Sequence, residues 1–362
     1  MRPWLEISPR ALAANARAIS LRAAPASLCA VVKSNAYGHG LIPTARSLSE
    51  AGIPHLSFGV FTPHEAISLR DAGVSEPVLL LGPVADADLE PLVREGVEIA
   101  LLDASDVGRI GRVRATVHLK IETGTHRFGL QWDQVSAVAA ELRDAGARIV
   151  GVYSHLADSE ELDAAFAREQ LARLLDSVEI VGLASGSRPQ RHIAASAAAI
   201  LWPEFRLDMV RGGIALYGLW PSEGVRERMR ESDPSFVLEP ALRWFAPVVH
   251  ICDAAAGETV GYGCEFKCAR ASRIAVLSLG YADGLPRAAG NERGRVRFGK
   301  SYAPIVGRIC MNACMVDITD LEPPVRRGDA AELDVEEIAA AAGTIAYEIL
   351  ARLPSEMERR YT

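Results

Sequence analysis

Lysine is scarce in this chain. Of 39 basic residues only four are lysines, Lys33, Lys120, Lys267 and Lys300, against 35 arginines. Where a bare positive charge suffices, the protein uses arginine. A lysine at the end of an apolar run, as in AVVKSNAYGHG (residues 30–40), therefore points to chemistry that arginine cannot do: losing its proton or forming a Schiff base. A solvated lysine at a strand end is the plainer alternative. Basic charge is short overall, for 46 acidic residues leave a formal net charge of -7. That argues against a nucleic-acid or anionic-membrane surface, which needs a basic patch, and favours a small-molecule ligand. Long apolar runs are missing too. None reaches the roughly 18 residues of a membrane span, and MRPWLEISPR lacks a signal-peptide core, so the expected location is the cytoplasm. The six cysteines fit no small disulfide scaffold and are expected as free thiols. Two C-x3-C pairs, Cys264 with Cys268 and Cys310 with Cys314, have a spacing that invites zinc. Both read as extended, which puts their ends about 13 Å apart at ~3.3 Å per residue; no metal is expected.

What is present is an ordinary globular composition, 49% hydrophobic and 23% charged over 362 residues, enough for one large and one smaller core. From Leu28 to about Leu219, short apolar runs (LCAVVKSN, LSFGVFT, PVLLLGP, VEIALLD, TVHLKIET, RIVGVYSH, QRHIAAS, DMVRGGIALYG) alternate with helical patterns such as HEAISLRDAG and VSAVAAELRDAG. Several of the helical patterns stop at glycine. Eight strand-then-helix units in some 200 residues are the signature of a (β/α)8 TIM-type barrel, with a doubly wound open sheet as the alternative. After Pro221 strand-like runs and turn glycines take over. The expected division is a barrel domain at residues 1–225 and a mainly β domain at 226–362, with residues 1–10 free to pair with the latter and the charged PSEGVRERMRESDPS as the boundary.

Barrel enzymes gather reactive groups at the carboxyl ends of the strands. By this alignment Lys33 follows the first barrel strand, Arg127 lies past the fifth, His155 ends the sixth, Ser196 follows the seventh and Arg211 sits in the eighth. Each alone has a bland reading as a core histidine, a helix cap or a packing arginine. Together they would face one mouth. Ser196 opens a helical stretch and Gly212 and Gly213 allow close backbone approach, a combination suited to phosphate. An imine-forming lysine facing a phosphate site suggests pyridoxal 5'-phosphate (PLP); an aldolase-type Schiff base with a sugar phosphate competes.

The stretches VVKSNAYGHG, TGTHRFG, YSHLA, AASAA, VRGGIALYG, LGYADG, VGRICMNACMVD and GTIAYEI together resemble the alanine racemases, in the same order and over nearly the whole chain. WLEISPRAL resembles that family's first strand and helix. The resemblance implies a PLP-dependent interconversion of L- and D-alanine by two bases, supplying D-alanine for peptidoglycan. It implies that Lys33 holds PLP covalently and that Tyr37, Ser196, Gly213 and Tyr347 bind its phosphate. Arg211 would donate to the pyridine nitrogen, His155 would bond to Arg211, and Arg127 would lie near the phenolic oxygen. Lys120 matches a lysine that is carbamylated in relatives. The second base would be Tyr281, supplied with Cys310 and Met311 by the other subunit of a homodimer with shared active sites, so that a monomer would be nearly inactive. Met311 and Tyr347 would crowd the substrate side chain and favour a methyl group.

The match has departures. Asn312 stands where the family usually has Asp, which removes a charge near the substrate carboxylate. GDAAELDVEEIA is shorter than the usual segment and RLPSEMERRY longer. Two other functions are weighed against the first: a serine or broad-spectrum racemase of the same fold, and a non-catalytic PLP-binding homeostasis protein. Proteins of the latter kind resemble the barrel alone, so the β domain that carries Tyr281 speaks against it.

Overall fold

The computed structural model describes residues 2–161 and 163–362. Contacts divide the chain into two units, one of Arg10–Ala36 and Leu41–Pro240, the other of Tyr37–Gly40 and Ala241–Thr362 with the segment that ends at Pro9. The first strand, β1 (Trp4–Ile7), belongs to the second of these.

In the larger unit the apolar runs form eight parallel strands: β2 (Ser27–Val31), β3 (Ser57–Val60), β4 (Val78–Leu80), β5 (Glu98–Leu101), β6 (Thr116–Lys120), β7 (Arg148–Tyr153), β8 (Gln190–His192) and β9 (Met209–Gly212). Their order is β8-β7-β6-β5-β4-β3-β2-β9. The gap between β8 and β9 is bridged by Asp208 N–H to Arg191 O at 3.1 Å and Arg211 N–H to Ala194 O at 3.0 Å, so the sheet is a nearly closed barrel. Its interior is filled by side chains from several strands. Cys29 of β2 packs with Leu79 of β4 and Met209 of β9, and Ala100 of β5 with Tyr153 of β7. Such strands are apolar on both faces because helices cover the outside. Leu28, Phe58, Ile99 and Leu119 are wholly buried, each worth roughly 1.5–3 kcal/mol over exposure.

Local signals set the helices. Helix Pro63–Asp71 starts at a capping box in which the Thr62 hydroxyl accepts from the Glu65 amide and the Glu65 carboxylate accepts from the Thr62 amide. Helix Val135–Ala145 ends on Gly146 at φ 79°, a left-handed position that glycine takes without strain. The charged stretch expected as a boundary is a helix instead, Glu223–Ser232, because Ser222 caps it and Val225 and Met229 are buried beneath it. The contact division falls at Pro240/Ala241.

The smaller unit is built on β10 (Leu242–Ala254), β11 (Thr259–Val260), β12 (Phe266–Lys267), β13 (Ser272–Leu277), β14 (Arg295–Phe298), β15 (Ser301–Val306), β16 (Cys314–Asp317), β17 (Ala330–Leu333) and β18 (Glu358–Tyr361). The long β10 pairs with β17 through its first half and with β13 through its second, past a register shift between Val248 and His250. Since β13-β16-β15-β14-β17 are neighbours in that order, these pairings close six strands into a ring. β1 adds antiparallel to β10 and parallel to β18, with Trp4 stacked on Phe245 at 5.3 Å. The carboxyl-terminal tail secures residues 37–40. Arg359 donates to Gly38 O at 2.8 Å and the Tyr361 hydroxyl to His39 O at 3.0 Å. A Cβ on Gly38 would stand 2.5 Å from Leu350 O, so the close packing there requires glycine.

Candidate active site

Lys33 lies two residues past the end of β2, where the Tyr217 hydroxyl donates to Val31 O at 2.8 Å and pins the strand. The backbone then turns left-handed for four residues that are not glycine, Ser34, Asn35, Ala36 and Tyr37, at φ 51–55°. Such a run costs roughly 1–2 kcal/mol per residue and persists only where surrounding bonds over-determine it. Those bonds are present. The Glu65 carboxylate accepts from Ser34 N–H at 2.6 Å, Phe61 N–H at 3.0 Å and Thr62 N–H at 3.1 Å. Asn35 Oδ1 accepts from Leu41 N–H at 2.8 Å, and Ala36 N–H donates to Val32 O at 2.8 Å. The Lys33 amine is thereby aimed from a rigid turn. Its Nζ lies 5.6 Å from the centre of the Phe61 ring. Burial, with the Arg127 charge, lowers its pKa, and Glu65 opposes the shift.

Three more cations share this end of the barrel. Lys120 ends β6, is buried and has its Nζ 5.4 Å from the Phe128 ring centre. Burial, Arg127 and Arg211 push its amine down to about 8, against Glu122. Arg127 stands on the loop after β6, which Glu122 shapes by accepting from Gly124 N–H at 2.5 Å and the Thr125 hydroxyl at 3.2 Å. Arg211 of β9 is buried and donates to Ser154 O at 2.8 Å, Ile193 O at 3.0 Å, His192 Nδ1 at 2.8 Å and His155 Nδ1 at 3.2 Å. Guanidinium can only donate, so both imidazoles present a lone pair to it. Burial and the charges of Arg211, Arg127, Lys120 and Lys33 push His155 down to about 3; it is neutral at physiological pH. Ser196 Oγ accepts from Gly213 N–H at 2.9 Å and Ala215 N–H at 3.4 Å, and its own hydrogen remains a donor. This donor set, four cations and a hydroxyl without a carboxylate touching Arg211, suits an anionic ligand that carries a phosphate.

The smaller unit holds the other residues in two groups. Tyr37 and Tyr347 face each other with ring centres 6.2 Å apart, and burial pushes the Tyr37 phenol up to about 12. Tyr281 opens a short turn after β13. Its N–H donates to Cys310 O at 3.1 Å, and Ala282 N–H donates to Met311 O at 2.9 Å. A Cβ on Gly280 would lie 2.3 Å from Met311 O, so glycine is what lets the two loops close on each other. Tyr281 and Met311 are thus held side by side, with 45% and 56% of their surface exposed. The path from Cys310 to Cys314, expected as extended, is a tight turn, Cys310 N–H donating to Ala313 O at 2.8 Å. Among the described residues no group of three or more His, Cys, Asp or Glu is placed to hold a metal ion.

Two site residues escape sequence reasoning. Glu65 is visible as a helix cap in TPHE, but nothing local reveals its bond to Ser34. His192 is legible only as a strand residue.

Known proteins resemble this chain over its length. The description "Alanine racemase, N-terminal domain" matches residues 7–221 and "Alanine racemase, C-terminal domain" residues 241–361. The alanine racemase of Symbiobacterium thermophilum is 38% identical over 380 aligned positions, covering 100% of this chain and 97% of the relative. Among solved structures, the alanine racemase of Streptomyces coelicolor superposes with a TM-score of 0.92 at 32% identity, over 100% of this chain and 98% of that one. That of Bartonella henselae, with covalently bound pyridoxal phosphate, gives 0.88 at 30% identity over the whole of both chains.

Proposed function

The chain belongs to the alanine racemase family, and we propose that it interconverts L- and D-alanine with Lys33 and Tyr281 as the two proton-transferring groups. The family's cofactor is PLP. Residues at the barrel mouth fit it: an amine with lowered proton affinity for its aldehyde, Arg211 for the ring nitrogen, Arg127 for the phenolic oxygen, and Ser196 with the Gly213 backbone for the phosphate; the family resemblance adds Tyr37 and Tyr347 for the phosphate. When bound, PLP supplies an electron-accepting ring conjugated to the substrate amine, which acidifies the α-hydrogen.

The remaining chemistry falls to the protein. Lys33 would take or give a proton on one face of the α-carbon, and its lowered pKa favours the neutral form that takes one. Arg211 offers the ring nitrogen a hydrogen bond but keeps its own proton, because a guanidinium is not deprotonated in proteins even where burial lowers its proton affinity. That restraint limits the charge drawn from the α-carbon and favours prompt reprotonation over side reactions. Tyr281 would serve the opposite face. A carbamate on Lys120, formed when its neutral amine adds carbon dioxide and releases a proton, would turn a cation beside Arg127 into an anion and orient that guanidinium.

The observation that carries the reading is the pairing, at one barrel mouth, of a partly buried amine with a buried guanidinium held by neutral acceptors. A homodimer with shared sites completes it, Tyr281 and Met311 standing exposed on the smaller unit as a partner's contribution would. Met311 and Tyr347 would leave room for a methyl group more readily than a longer side chain, so L-serine would be the poorer substrate. Six free thiols favour a cytoplasmic enzyme, which would feed D-alanine to peptidoglycan.

Mixing two inactive variants tests the shared site. A Lys33→Ala chain and a Tyr281→Phe chain, unfolded together and refolded, should regain racemisation, because each mixed dimer would hold one site with both native groups. Activity no higher than that of either variant alone would contradict sharing.

A further inference from the structure

Arg211 is buried without a carboxylate on it, yet a chain of hydrogen bonds connects it to one. His192 Nδ1 lies 2.8 Å from the guanidinium, His192 Nε2 lies 2.9 Å from His118 Nδ1, and His118 Nε2 lies 3.0 Å from Glu98 Oε2. Both imidazoles and the guanidinium are buried. Glu98 is the first residue of β5, at the amino end of the barrel away from the mouth, and keeps 27% of its side chain exposed.

The barrel is cut to fit this chain. Gly151 of β7 is the register partner of His118, and a Cβ there would stand 1.9 Å from His118 Nδ1. The ring crosses β7 through the space that a side chain would fill. Tyr153 stacks flat on His192 at 4.7 Å and 2°, with Arg211 Cζ 5.3 Å from the centre of the Tyr153 ring.

Donor chemistry gives the chain one direction. Arg211 can only donate, so His192 Nδ1 must accept; the His192 proton therefore sits on Nε2 and is donated to His118 Nδ1. The His118 proton then sits on Nε2 and is donated to the carboxylate. Protonating either ring would set two N–H groups against each other somewhere along the line. Burial and Arg211 also hold His192 well below the ordinary histidine range.

We propose that Glu98 is a positioning residue for Arg211: through His118 and His192 it holds both imidazoles as the neutral Nε2–H tautomer and keeps an acceptor facing the guanidinium. An acceptor at one end and a donor at the other make every bond in the line compatible. A donor at both ends forces one of them to break. The consequence for the reaction rests on the role proposed above for Arg211 at the ring nitrogen, whereas the tautomers follow from the hydrogen bonds alone.

The test uses the PLP-loaded protein labelled with 15N-histidine, in which long-range 1H–15N correlations identify the protonated nitrogen of each ring. The wild type should show His118 and His192 as single neutral Nε2–H species at neutral pH. Glu98→Gln, whose amide carbonyl still accepts, should keep that pattern. Glu98→Lys should shift the His192 signals and lower kcat about tenfold, the low end of what losing a supporting hydrogen-bond partner costs, with KM little changed. An Nδ1–H or imidazolium form of either ring in the wild type would overturn the proposal. So would unaltered His192 signals in a folded Glu98→Lys protein. Shifted signals with unaltered kcat would instead count against the role given to Arg211.

Discussion

Lys33→Ala is expected to abolish the visible absorbance of bound PLP and to lower racemisation by at least about 10⁴-fold, since it removes both the proposed covalent anchor and one of the two proposed acid–base groups. The loss should be chemical rather than structural. The left-handed turn after Lys33 is held by Glu65, Asn35 and Val32 O, none of which bonds to the lysine amine, so the variant should unfold at nearly the wild-type temperature. Lys33→Arg separates charge from reactivity. It keeps the cation, but a guanidinium neither loses its proton nor forms the imine, and it should be as inactive as alanine. This returns to the composition of the chain, in which 35 arginines carry the charge: if arginine worked at position 33, lysine had no special task there. Absorption spectra and kcat/KM decide, and activity of Lys33→Arg within tenfold of wild type would contradict the assignment.

Tyr281→Phe should have the second largest effect and a different signature. The substitution deletes one hydroxyl from a half-exposed ring and leaves the Gly280 turn and its bonds to Cys310 and Met311 intact. PLP absorbance should be unchanged. Loss of one general acid–base group costs about 10²–10⁴-fold, and net racemisation should fall by that factor in both directions, because the two enantiomers are equal in energy. The asymmetry appears in hydrogen exchange. The face assigned to Lys33 remains competent, so the α-hydrogen of one enantiomer should still exchange with solvent while that of the other does not. Equal residual exchange for both enantiomers would remove Tyr281 from its proposed role.

Legibility from sequence tracks how local each interaction is. Strand–helix alternation is a local pattern, and the eight expected units appear as eight parallel strands. Lys33 was conspicuous because its residue type is rare, and Arg211 and Ser196 because barrel topology gives meaning to strand ends. Glu65, by contrast, reaches Ser34 across 31 residues of chain, and His118 meets His192 across 74; no spacing rule connects them. The charged stretch after Pro221 misled for a related reason. Its polar composition resembles a linker, but two residues one helical turn apart, Val225 and Met229, suffice to dock it. The turn between Cys310 and Cys314 was hidden because its bonds to Tyr281 and Ala282 come from a loop about thirty residues earlier.

Two groups acting on opposite faces of one carbon make a claim that a single measurement reaches. L-alanine carrying its ordinary α-hydrogen is converted by the PLP-loaded enzyme in deuterium oxide, and the first D-alanine formed is analysed for deuterium. With separate bases, the hydrogen removed from one face is not the one delivered to the other, so the initial product should carry deuterium at the α-carbon almost completely while recovered L-alanine stays largely unlabelled. Initial D-alanine that retains most of the original hydrogen would mean that one group carries it across, and the two-base account would be wrong.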